Sequence, residues 1–184
     1  MNTMLSRRKM VALGAVCCLP GLSAFALAGA GTYYTTVNIW YEHPQKILTT
    51  NYHRGKIIPA GTKVEVSSIS RGRIVFRPEG QTIDYTLTFV AKHSTIGLDA
   101  EFDRIFSKAN DFAEVSKKFD KETCEAIKNG EISIGMNREA VLAAYGYPPS
   151  HKTPDLEGDV WIYWNNRFRT RSIEFKDGKV SLIK

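Results

Sequence analysis

Cysteine is scarce in this chain: three among 184 residues. Two of them, Cys17 and Cys18, fall within the first 28 residues. Without that segment Cys124 stands alone, no internal disulfide can form, and the fold must rest on its apolar core. The four histidines, His43, His53, His93 and His151, show no His-x-x-x-His spacing, and there is no Cys-x-x-Cys. No metal site is therefore expected. A Gly-x-Ser-x-Gly elbow and a phosphate-binding glycine loop are also missing, so neither a catalytic residue nor a cofactor is expected. Cys124 sits in Thr-Cys-Glu-Ala-Ile on the apolar side of a predicted helix, with no adjacent histidine. It reads as a core cysteine, not a nucleophile.

Carboxylates are absent from residues 1–28, where Arg7, Arg8 and Lys9 precede an apolar stretch rich in Ala, Leu and Gly. Ala26-Leu27-Ala28 offers small residues at the positions a signal peptidase reads, so an export signal is expected. Gly14, Pro20, Gly21 and Ser23 interrupt the apolar run, which argues against a retained anchor. Ser6-Arg7-Arg8-Lys9-Met10-Val11 resembles the twin-arginine motif. Val16 before Cys17 makes a poor lipidation site. Removing the segment takes three cations and no carboxylate, lowering the formal charge from +6 to +3. So small an excess gives little reason to expect a nucleic-acid partner. The expected location is the periplasm or the periplasmic face of the outer membrane.

After the leader the pattern divides, and the expected class is α+β. Residues 33–95 read as short strands between turn clusters. Val64 and Val66 alternate with Lys63 and Glu65; Ile83, Tyr85, Leu87 and Phe89 share one face. In residues 33–41, Val37, Ile39 and Tyr41 alternate with Asn38 and Trp40. Such strands predict a small antiparallel barrel, which removes sheet edges by closure. Gly-Lys-Ile-Ile-Pro-Ala-Gly-Thr-Lys-Val-Glu-Val, from Gly55 to Val66, resembles the start of bacterial SH3-like domains. The later Gly-Trp signature of their wall-binding members is absent. Residues 96–119 turn helical, with Leu98, Phe102, Ile105 and Phe106 on one face, and read as a connector.

Residues 120–184 read as two helices and three strands. Asp120 and Asn137 are predicted helix caps, and Gly130 and Gly146 predicted stops. Pro148-Pro149 forbids continuation, and Asp177-Gly178 predicts a tight hairpin. Gly135-Met136-Asn137 leading to Val141, Tyr145-Gly146-Tyr147-Pro148, Trp161-Ile162-Tyr163 and Phe175-Lys176-Asp177-Gly178-Lys179-Val180 stand in that order. This series resembles the BamE family, also called SmpA/OmlA. The resemblance implies an ααβββ domain, no enzyme chemistry, and assistance to outer-membrane β-barrel assembly through protein partners. The same domain shape serves in secreted enzyme inhibitors, so shape alone does not name a target.

The candidate partner-binding surface is aromatic and basic. Trp161 and Tyr163 lie opposite Val160, Ile162 and Trp164 on a predicted strand, and Arg167, Arg169 and Arg171 alternate along the next. Trp, Tyr and Arg are enriched at interface hot spots. An arginine row also suits phospholipid headgroups or an acidic protein. Since Ile173 and Phe175 share parity with the arginines, the face must change character near Ser172 or a bulge must intervene. An aromatic groove around Trp40, Tyr41 and Tyr52 would instead favour a cell-wall-binding module.

Overall fold

Period-two burial organises the first half of the chain. The structure, a computed structural model, describes residues 29–184; the expected export signal lies outside the described residues. In chain order the elements are β1 (Gly31–Thr35), β2 (Ile39–Tyr41), β3 (Ile47–Leu48), β4 (Lys56–Ile58), β5 (Lys63–Ser70), β6 (Arg73–Pro78) and β7 (Tyr85–Thr88). Then follow α1 (Leu98–Ile105), β8 (Phe106–Ser107), α2 (Asp111–Val115), α3 (Lys121–Asn129) and α4 (Arg138–Tyr145). The last three are β9 (Val160–Asn166), β10 (Arg169–Lys176) and β11 (Lys179–Ile183). The fold is mixed α+β.

A six-stranded sheet of order β3-β7-β6-β5-β1-β8 curls into a half-barrel, with β2 and β4 as a separate ribbon. Only β3 and β7 pair in parallel; the other neighbours are antiparallel. Val64, Val66, Ile74, Phe76 and Leu87 point inward and are almost fully buried. The Phe106 ring packs against those of Phe76 and Phe102, with centroids 5.3 and 5.0 Å away.

Two details differ from the reading of the sequence. Residues 33–41 are two strands, because the chain leaves β1 to bond across the molecule. Thr36 donates its amide to Ile105 O at 2.9 Å, and Asn38 donates its amide to Ala143 O at 2.9 Å. Three successive residues, Val37, Asn38 and Ile39, are consequently buried. The stretch 96–119, read as a connector, is divided between the two cores. Phe102 and Ile105 of α1 bury in the half-barrel and β8 pairs with β1. Only α2 and the 3₁₀ turn Ser116–Lys118 cross between the two cores, with Phe112 and Phe119 against the second.

The last 65 residues form helices α3 and α4 on one face of the sheet β11-β10-β9. Asp120 Oδ1 accepts the Thr123 amide at 2.7 Å and Asn137 Oδ1 accepts that of Ala140 at 2.8 Å, which are ordinary N-caps. Asp177 and Gly178 both take positive φ, 52° and 73°, the geometry of the twist-matched two-residue turn between β10 and β11. Arg138, at the start of α4, bonds Glu157 O, Gly158 O and Asp159 Oδ1 at 3.0–3.1 Å, pinning the approach to β9.

Gly130 ends α3 at φ +65°, and a Cβ there would stand 2.2 Å from Trp40 Cζ2 and 2.6 Å from Ile57 Cδ1. Gly80 also has positive φ, +78°, but nothing lies within 4 Å of its Cβ position. Gly130→Ala is therefore expected to lose about 2–4 kcal/mol by urea unfolding, combining left-handed strain with overpacking. Gly80→Ala is expected to lose about 1 kcal/mol from backbone strain alone.

Candidate functional site

Pairing parity decides which side chains of the last sheet are available. β9 and β10 align Trp161 with Ile173 and Tyr163 with Arg171. Ile173 and Phe175 seal the sheet against the helices, so Trp161 and Tyr163 share that inner face and are fully buried. Trp161 Nε1 donates to Leu156 O at 3.1 Å, and the Tyr163 hydroxyl donates to Gly146 O at 3.0 Å. Burial, reinforced by Tyr145 and Tyr147, holds the Tyr163 hydroxyl well above its ordinary pKa. The expectation that Trp161 and Tyr163 form a docking surface is thus corrected: both are core. Trp164 is the outward aromatic, stacked by His151 at 6.3 Å and approached by His93 at 5.8 Å.

The arginines are also not a row. Register shifts at Arg169/Thr170, and Arg167 belongs to the turn between β9 and β10. Arg171 points to the helix side, where its guanidinium donates to the Tyr145 hydroxyl and lies 5.8 Å from that ring. Arg167 and Arg169 remain exposed at the hairpin tip. Between them stands Phe168, 81 % exposed, more than any other large hydrophobic residue described. The Arg167 guanidinium sits over its ring at 4.9 Å. Neither turn residue has positive φ. The reversal is held instead by Asn166 Oδ1, which accepts the amides of Phe168 at 2.9 Å and Arg169 at 3.0 Å. The sequence reading missed Phe168; the signal was an apolar residue flanked by arginines directly after Asn-Asn.

A second feature lies on the half-barrel side. Trp40, Tyr41 and Tyr52, with His43, Lys46 and Arg54, line a cleft of about 240 Å³. Arg54 pairs with Glu42 at its rim at 3.3 Å. The Tyr41 hydroxyl meets that of Tyr85 at 3.3 Å, and burial followed by this contact raises its pKa to about 12.

The two cores are joined by polar groups directed at helix ends. Asn38 Nδ2 donates to Ile127 O of α3 at 2.6 Å and to Ala144 O of α4 at 3.1 Å, while Asn38 Oδ1 accepts the Ala60 amide at 2.8 Å. Asn51 Nδ2 and His53 Nε2 both donate to Tyr145 O, at 2.8 and 2.9 Å. The His53 ring lies 4.0 Å from that of Tyr145, with Trp40 and Tyr163 also against it. Because Nε2 faces a carbonyl, that nitrogen carries the proton; Nδ1 is enclosed with no partner. Burial lowers the His53 pKa to about 4, the Tyr145 carbonyl opposes the shift and Arg171 adds to it.

Among the described residues, no group of three or more His, Cys, Asp or Glu is placed to hold a metal ion. No described helix is long and apolar enough to cross a membrane. The Cys124 thiol is partly buried and lies 3.7 Å from Ser116 O, with no histidine or carboxylate bonded to it. Compared with protein-family models, curated proteins and solved structures, the chain finds no match.

The His53 contacts predict a pH dependence. In the unfolded chain the ring titrates near its ordinary 6.5 and in the folded protein near 4. The stabilisation is complete above pH 6.5 and is lost as pH falls from 6.5 toward 4. Between pH 7 and 4.5 this amounts to about 2–3 kcal/mol. His53→Gln keeps the donor to Tyr145 O and is expected to unfold in urea with a correspondingly smaller loss over that range. Equal losses in both proteins would refute the assignment.

Proposed function

We propose that this chain is a non-catalytic binding protein of the bacterial envelope, acting in the periplasm or at the inner face of the outer membrane. The observation that carries this reading is the β9–β10 tip, where Arg167 and Arg169 flank an exposed Phe168. An aromatic residue left in water between two guanidinium groups is a ready anchor for a partner. Its backbone is pre-ordered by Asn166, so docking orders few additional groups. The leader supplies the compartment. The order α3-α4-β9-β10-β11 agrees with the ααβββ layout that the BamE resemblance implies, which supports assistance to outer-membrane protein assembly as the specific role. The curled sheet of the first half supports the SH3-like resemblance in the same way.

A second reading rests on the cleft of Trp40, Tyr41 and Tyr52. Aromatic walls beside Lys46 and Arg54 suit an anionic cell-wall fragment. That would make the first half a wall-binding module.

The readings separate by photo-crosslinking in intact cells from probes at Phe168 and Tyr52. Adducts from Phe168 to outer-membrane proteins or their assembly factors are expected. Adducts to wall fragments from Tyr52 alone would favour the second reading. Arg169→Glu is expected to reduce capture of the crosslinked partner roughly tenfold, a typical effect of about 1–2 kcal/mol for losing one hot-spot side chain. Its urea midpoint should not move, because Arg169 is exposed. Normal capture by a folded Arg169→Glu protein would contradict the role of the tip.

A further inference from the structure

A groove between α1, α2 and α4 has the properties that the β9–β10 tip lacks. It encloses about 330 Å³ and is floored by Val37, Phe112, Val115 and Leu142. Carboxylates from three helices stand around it: Asp103 of α1, Asp111 of α2 and Glu139 of α4. Glu139 shares Lys118 at 3.6 Å. The one cation lining the groove, Arg104, is drawn over the Tyr147 ring at 5.0 Å. Asp103 and Asp111 form no ion pair with any described residue, and both also line the neighbouring cavity that holds Lys108. An apolar floor with free carboxylates around it fits an aromatic side chain with a cation on each side. No residue of residues 160–173 is acidic, and Arg167-Phe168-Arg169 presents that combination at an exposed apex.

We propose that the groove receives the β9–β10 tip of a second copy of this chain, with Phe168 on the apolar floor and its flanking arginines against Asp103 and Asp111. The proposal rests on the reading of the tip as a docking element and names its partner. The tip does not fill its own groove. Trp161, Tyr163 and Ile173 fix the hairpin in the second core, and no residue of β9, β10 or β11 lines the groove. Each copy therefore offers one tip and one groove, a contact between unlike surfaces that yields a reciprocal dimer or an open chain. A contact of this size is weak and its charged part is screened, so association should fall as salt rises.

Analytical ultracentrifugation of the purified chain tests this with two variants. Phe168→Ser removes the tip anchor at an exposed position, and Asp103→Lys with Asp111→Lys reverses the groove. Unchanged circular dichroism and urea midpoints establish that both are folded. Wild type is expected to shift from one chain toward two or more as concentration rises. Each variant alone should stay a single chain at the same concentration. An equimolar mixture of the two keeps one intact tip and one intact groove, and should give a two-chain species. The inference is overturned if wild type remains a single chain at about 1 mM, where an interaction of about −4 kcal/mol is half-saturated. It is equally overturned if wild type associates but the mixture does not. Monomeric wild type whose Phe168 probe still captures another envelope protein would sink the self-contact and leave the tip's docking role standing. No Phe168 adducts, with Phe168→Ser associating like wild type, would remove both.

Discussion

The arrangement of the two cores depends on what happens to the last carbonyls of α4. A helix leaves four C=O groups without intrahelical partners, and a buried end must find donors elsewhere. Here Leu142 O is taken by the Gly146 amide, Ala143 O by the Asn38 amide, and Ala144 O by Asn38 Nδ2. Tyr145 O is taken by Asn51 and His53. Three of the four are thus satisfied from the half-barrel, and Asn38 also reaches the end of α3 through Ile127 O. The Asn38 side chain has all its donors and its acceptor used, and its own carbonyl accepts from Asn51 at 3.3 Å. A polar group so placed rewards one docking geometry and penalises every displaced one, since a slip leaves several buried groups unpaired at once.

That constraint explains two glycines and a histidine. Gly130 and Gly146 stand where the helix ends meet Trp40, Ile57 and Asn51, with too little room for a Cβ. His53 completes the capping of α4 through Nε2, and its burial favours the neutral ring. The same clamp positions α4, whose Glu139, Leu142 and Ala143 line the carboxylate groove, against the half-barrel.

Local chemistry was the legible part of the sequence. Asp120, Asn137 and Asp177-Gly178 announce caps and a hairpin through interactions spanning a few residues, and the alternation around Val64 and Val66 needs only its own strand. The orientation of β9 was not legible, because both of its faces carry aromatic residues. Trp161 is inside and Trp164 outside only because Ile173 and Phe175 across the ladder are inside. Asn38 was read as the polar side of a strand, and nothing nearby marks it otherwise. Its side-chain partners in the helices stand 89 and 106 residues away. Part of the candidate site followed the same rule. Arg167 and Arg169 are exposed because of the turn and the register shift beside it, not because of strand alternation, whereas Trp161 and Tyr163 went to the core.

The most direct measurement is the unfolding of Asn38→Asp, a nearly isosteric change that puts a carboxylate oxygen against Ile127 O and Ala144 O. Urea titrations would be followed at once by hydrogen exchange of amides in β5–β6 and in β9–β10. The two regions of wild type are predicted to lose protection together. In Asn38→Asp, β9–β10 should open about 2–4 kcal/mol more easily, the range for placing an unpaired acceptor or charge in a buried network, and should part from β5–β6. Wild-type stability and a single shared transition in Asn38→Asp would contradict the account.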